Sequence, residues 1–154
     1  MSQPTRLTGA QETSLAIAAA VVTANAYYIH PIIAEVADYF GVSHSRIGLV
    51  PALNQIALAV GIFLLLPLGD RISNRRLTIT FAAGQTASIA LMAIAQGFTL
   101  FVIGSTMLGF FTIAPYLLPA YASKRVAPER LGQVTAKLAA GVILGILIAR
   151  VGAG

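Results

Sequence analysis

The sequence predicts an all-α membrane protein with about five transmembrane helices, and three observations predict it. Apolar residues make up 57% of the 154 positions and charged residues only 10%, against about 25% charged in a typical soluble domain. The mean hydropathy is +0.83. The charges also collect in short gaps between uncharged runs that are long enough to cross a bilayer. Backbone amides and carbonyls in hydrocarbon must bond within the spanning structure, which leaves helices or a closed barrel. Continuous apolar runs, rather than short alternating segments, select helices.

Residues 1–12 (MSQPTRLTGAQE) read as a cytoplasmic N-terminal tail, and 13–154 as the transmembrane domain. Residues 13–34 hold no Asp, Glu, Lys or Arg over 22 positions, and one crossing takes about 20 residues. Ala24-Asn25-Ala26 has the small-x-small look of a cleavage site. The apolar run continues past it, and a single basic residue precedes it, so a retained span is expected. Residues 35–46 form a charged connector, followed by a second uncharged run at 47–69 and the basic turn DRISNRR. Residues 77–123 then run 47 positions without a charge. As one helix they would extend ~70 Å, more than twice the ~30 Å hydrocarbon thickness. The chain must fold back, and Gln96-Gly97-Phe98-Thr99 is the place, giving spans near 77–95 and 100–122. KRVAPER closes the fourth span, with Pro128 as a helix boundary. A fifth span covers 132–154.

Arg6, Arg71, Arg75, Arg76, Lys124, Arg125 and Arg130 then fall on one side, with Lys137 close to it, while Arg46 lies opposite beside Glu35 and Asp38. By the positive-inside rule the N-terminus is cytoplasmic; a plasma (bacterial inner) membrane is the expected location. The basic excess is a topology signal, so no nucleic-acid partner is expected. The chain has no cysteine and two histidines. His30 and His44 lack the carboxylate or thiolate company of a metal site, and no Gly-rich phosphate loop occurs. Neither enzyme chemistry nor a cofactor or metal is expected.

Polar side chains at membrane depth are costly and usually face a bundle interior or a pathway. The first span carries Thr23, Tyr27 and His30 on one face and Asn25 and Tyr28 on another. The second has Asn54 and Gln55; the third has Gln85, Thr86 and Ser88; the fourth aligns Ser105, Thr112 and Tyr116. Arg150, near the far end of the fifth, must pair, snorkel or bind an anion. Each polar residue has a plain reading as an interhelical hydrogen bond; together they read as a polar-lined path. Pro51, Pro67, Pro115 and Pro119 mark expected bends. Gly141, Gly145 and Ala149 make a small-residue stripe, and Gly104 and Gly109 thin the fourth span. The stripe serves either contacts among these five helices or a helix from a second half or second chain.

The turn Leu68-Gly69-Asp70-Arg71-Ile72-Ser73-Asn74-Arg75-Arg76 resembles the cytoplasmic loop signature of the major facilitator superfamily, G-x-x-x-D-R-x-G-R-R. Asp70, Arg71 and Arg75 fall on its charged positions, with Arg76 beside them. Leu66, Ser73 and Asn74 depart from it. Asn25-Ala26-Tyr27-Tyr28-Ile29-His30-Pro31-Ile32 and Gly145-Ile146-Leu147-Ile148-Ala149-Arg150 look like the drug-efflux branch of that superfamily. The resemblance runs from about Leu15 to Gly154. It implies the N-terminal half of a facilitator fold, with solute bound between two halves and access alternating as they rock. By that analogy Asn25, Tyr28, Asn54 and Tyr116 face the cavity, and His30, Gln55 and Arg150 join them as candidate pathway residues. Ser105 stands where many proton-coupled members carry arginine, and the glycine motif of the fifth helix lacks its Gly-Pro. Members have about twelve spans, so the sequence is expected to be a truncated or split carrier of a small organic solute, efflux-type. Its expected partners are the lipid bilayer, the solute, and the missing C-terminal half or a second chain. The alternative is a non-transporting subunit or gene remnant that associates with a partner helix bundle through the stripe.

Overall fold

The computed structural model describes residues 7–65, 67 and 72–152. Among them eight helices and no strand occur: α1 (Gly9–Tyr27), α2 (Ile33–Phe40), α3 (His44–Ile47), α4 (Leu49–Leu65), α5 (Asn74–Ala93), α6 (Phe98–Phe111), α7 (Ala114–Ser123) and α8 (Pro128–Gly152). Three stretches are long and apolar enough to cross a membrane: His44–Leu65, Phe98–Ser123 and Pro128–Gly152. Helices α1 and α5 pack lengthwise against these, α1 on α8 and α5 on α6, while α4 also lies on α6.

Beside an apolar core, the exposed surface is rich in large apolar side chains and several polar side chains are buried. Phe63 is 80% exposed, Val151 81% and Ile94 70%, whereas Ser88 and Ser105 are fully buried and Asn54 nearly so. A surface of this kind is stable when acyl chains, not water, are the solvent. The protein is an all-α integral membrane protein.

Local chemistry sets the helix ends. Thr8 caps α1: its Oγ1 accepts from the Gln11 amide at 3.3 Å, and the Gln11 side chain accepts from the Thr8 amide at 2.9 Å. The helix therefore begins at Gly9, inside the segment that the sequence set apart as a tail. Pro31 has no amide to continue α1, and the chain breaks after Tyr27 before resuming as α2. Much of the 35–46 connector is thus helical, carrying Val36, Ala37 and Phe40 against a core of Ile29, Ile47 and Phe101. Gly41, at φ 60°, ends α2 in the left-handed region, and Val42 N–H donates back to the Ala37 carbonyl at 3.0 Å. The fourth span is also two helices. Thr112 and Ile113 turn between α6 and α7, ahead of Pro115, which cannot donate back to α6.

Glycine lets the long helices touch backbone to backbone. A Cβ on Gly141 or Gly145 would press into the carbonyls of Ala16 and Ala20 on α1. One on Gly109 would press into the Asn54 carbonyl, and one on Gly61 would stand 2.8 Å from the Phe110 carbonyl oxygen. These contacts weld α1 to α8 and α4 to α6.

Candidate functional site

Asn25 on α1 and Tyr28, the residue that caps its C-terminal end in helical conformation, sit three residues apart, so they project from neighbouring positions on one side. Both line a cavity of about 330 Å³ between α1, α2, α5 and α6. The rest of its wall is apolar and includes Ile29, Ile89, Met92 and Phe101. Behind that wall, a Cβ on Gly104 would lie 2.7 Å from Met92 Cγ and 3.2 Å from the Ser88 carbonyl oxygen. Gly104 therefore lets α5 and α6 close together while Met92 keeps its place at the cavity.

Two polar nodes are buried between helices. At the first, Asn54 Nδ2 on α4 donates to the Ser105 carbonyl of α6 at 2.7 Å. Among the described residues Asn54 Oδ1 and Ser105 Oγ have no hydrogen-bond partner. By contrast, Ser88, Thr106 and Thr112 each donate to the carbonyl four residues back, at 2.7–2.8 Å. At the second node, Gln85 Nε2 on α5 donates to Thr112 Oγ1 at 3.1 Å and to the Val22 carbonyl of α1 at 3.2 Å. One buried amide thus ties α1 and α5 to the α6–α7 break. Gln85 was legible as a polar residue in an apolar span, but not its partners, which lie 27 and 63 residues away in sequence.

Replacing Gln85 with leucine is expected to cost only about 1 kcal/mol, because Thr112 keeps its bond to Leu108 and Val22 keeps its place in the helix. Gln85→Glu is expected to cost more, since a carboxylate would face a carbonyl. Denaturant titration in mixed micelles checks the order.

The other residues named from sequence are scattered. His30 is half-buried; its ring stacks on Tyr27 at 5.2 Å, and its Nδ1 lies 3.3 Å from the Tyr27 carbonyl. Gln55 is exposed on α4, turned away from the face where Asn54 is buried. Tyr116 is exposed on α7 and Arg150 on α8. Arg75 and Arg76 are exposed in the first turn of α5, whereas Asp70 and Arg71 of the loop signature lie outside the described residues.

A clasp missed in the sequence joins the starts of α1 and α8. Glu12 is 4% exposed, and its Oε1 accepts from Arg130 Nη2 at 2.9 Å. Lys137 Nζ donates to Thr13 Oγ1 at 2.8 Å, and the Leu7 amide donates to the Arg125 carbonyl at 3.2 Å. By sequence alone Glu12 falls in the cytoplasmic tail; the Thr8–Gln11 capping pair is the available sign that it lies within a helix.

Residues 15–154 match the family model described as Major Facilitator Superfamily. The chain belongs to the major facilitator superfamily. This facilitator chain is similar to the "Putative uncharacterized transporter YgaY" of Escherichia coli (strain K12), with 29% identity over 140 residues, covering 91% of the chain and 36% of that protein. It is also similar to the "Probable transporter SCO4007" of Streptomyces coelicolor, with 27% identity over 137 residues, covering 89% of the chain and 32% of that protein. The facilitator chain thus spans about a third of the length of these curated relatives. No solved structure matches it.

The reading in which the Gly141–Gly145–Ala149 stripe docks a partner bundle is corrected by the facilitator structure. Gly141 and Gly145 abut Ala16 and Ala20, and Ala149 is 0% exposed. Periodicity had marked the right face of α8, but the face is already covered by α1.

Proposed function

We propose that this chain is part of a secondary carrier of a small organic solute, set in a bacterial inner membrane with its N-terminus in the cytoplasm. Its five spans are α1 with the turn after it, α3–α4, α5, α6–α7 and α8. The reading is supported most by the pairing of Asn25 and Tyr28 in one otherwise apolar cavity. Ligand sites are commonly apolar hollows with a few convergent polar groups that fix orientation. An amide and a phenol, with no charged residue in the wall among the described residues, suit a neutral, largely apolar solute bearing a hydrogen-bonding group. Apolar solutes of this kind fit the efflux-type reading.

Family membership and the transporter names of the relatives support carriage in general. The segregation of charge supports the orientation: Arg75, Arg76, Arg125 and Arg130 stand at helix ends on one side of the bundle, Glu35, Asp38 and Arg46 at the other. Tyr116, Gln55 and Arg150 lie on exposed helix surface, where a further part of a carrier would meet them.

Binding of tritiated chloramphenicol, a neutral and largely apolar probe with hydroxyl and amide groups, tests the proposal. The chain in lipid nanodiscs is expected to retain the probe above the level of empty discs. Asn25→Ala with Tyr28→Phe is expected to weaken retention about ten-fold or more, since each lost hydrogen bond is worth about 1 kcal/mol. Unchanged retention in the double variant would place the solute elsewhere.

A further inference from the structure

We propose that the groove between α1, α5 and α7, at the end of the bundle where Arg75 and Arg125 lie, binds an anionic phospholipid. The groove encloses about 370 Å³ and is walled by Leu15 of α1, Ile79 of α5, and Leu117 and Leu118 of α7. Arg75, in the first turn of α5, is the one charged residue lining it among the described residues. Tyr121 completes the rim, and the Arg125 guanidinium lies over its ring, 4.1 Å from the centroid. The site is therefore an apolar trough with cations at its polar end.

Charge complementarity selects the occupant. Arg130 at the same end is engaged by Glu12, and Lys137 bonds Thr13. Among the described residues Arg75 and Arg125 have no carboxylate partner. A small water-soluble anion would meet the arginines and leave the trough uncovered. A zwitterionic lipid would fill the trough but bring a cation of its own to the rim. An anionic phospholipid meets both demands, with its phosphate at Arg75 and Arg125 and an acyl chain along Leu15, Ile79 and Leu118. Basic residues at a membrane surface attract anionic headgroups by about five-fold in affinity each. The arginine stems can lie along the apolar wall while their heads stay at the interface. This site is separate from the Asn25–Tyr28 cavity and does not depend on the transport reading.

The full chain in dodecyl maltoside, followed by its thermal unfolding midpoint, tests the inference. Added phosphatidylglycerol is expected to raise the midpoint. Phosphatidylcholine with the same tails should do so far less, and glycerol 1-phosphate should have no effect. Arg75→Gln and Arg125→Gln, both at the rim and not in the core, are each expected to weaken the apparent phosphatidylglycerol affinity about five-fold. Leu118→Trp, which fills the trough and leaves both arginines in place, is expected to remove the protection. Equal protection by phosphatidylcholine or by glycerol phosphate, or an unchanged phosphatidylglycerol response in the two arginine variants, would overturn it. Should Leu118→Trp fail to fold, the arginine variants alone decide.

Discussion

Gly145→Leu is expected to separate α1 from α8, with a loss of at least about 3 kcal/mol of stability. Even a methyl group at this position would meet the Ala20 carbonyl, which belongs to backbone and cannot rotate away. The rest of a leucine side chain would have to displace the whole of α1. That displacement would also pull apart Glu12 and Arg130, and Lys137 and Thr13, which close the same helix pair at one end. Gly132→Ala is the control. It lies in the same helix, no described residue lies within 4 Å of its added Cβ, and it is expected to be neutral or to stabilise by up to about 1 kcal/mol through helix propensity. Unfolding titrations in mixed micelles should therefore separate two substitutions thirteen residues apart by about 3–4 kcal/mol. Similar behaviour of the two would mean that α1 does not lie on the glycine face of α8.

Arg130→Ala is expected to cost roughly 2–3 kcal/mol, whereas Glu12→Gln should cost under about 1 kcal/mol. The asymmetry follows from burial. The Glu12 side chain is 6% exposed and that of Arg130 is 53% exposed. Removing the arginine strands a carboxylate away from solvent, the costly way to break a buried pair. Removing the carboxylate's charge leaves a guanidinium that water can still solvate, and exposed ion pairs contribute little. Arg130→Ala combined with Glu12→Gln should recover most of the loss. The same micelle titrations check all three variants, and equal costs for the two single substitutions would contradict this account of the clasp.

Three of the expected spans coincide with stretches long and apolar enough to cross, His44–Leu65, Phe98–Ser123 and Pro128–Gly152, because a bilayer imposes a simple rule on sequence: about 20 uncharged residues per crossing. The fold-back at Gln96–Thr99 followed from length alone, and α5 and α6 do end and begin there. The break at Thr112–Ile113 was less legible. Pro115 announced a bend, but a proline can kink a membrane helix without ending it. Helix α2 was hidden by its charges. Glu35 and Asp38 made its segment look like a connector, although Ile33, Val36, Ala37 and Phe40 have helical spacing.

Site residues divide in the same manner. Asn25 and Tyr28 were named from a pattern on one helix, and one helix suffices to bring them to one cavity. Asn54 was named too, but its neighbour Ser105 and the pressed contact with Gly109 belong to a helix pairing that periodicity does not specify. Gln85 shows the limit most clearly. A polar residue in an apolar span signals that it must find a partner, and one of the two that Gln85 finds, the Val22 carbonyl, is backbone that every residue type carries.

The central claim is that the chain crosses the bilayer so that the 35–46 connector and the turn after the second span lie on opposite sides. The chain has no cysteine, and Ser43 and Ser73 are both exposed, so each can carry a single reporter thiol. Labelling of intact cells with a membrane-impermeant maleimide is expected to modify Ser43→Cys. Ser73→Cys should react only after the cells are opened. Labelling of both from the outside, or the reverse pattern, would contradict the topology on which the solute path and the lipid groove are placed.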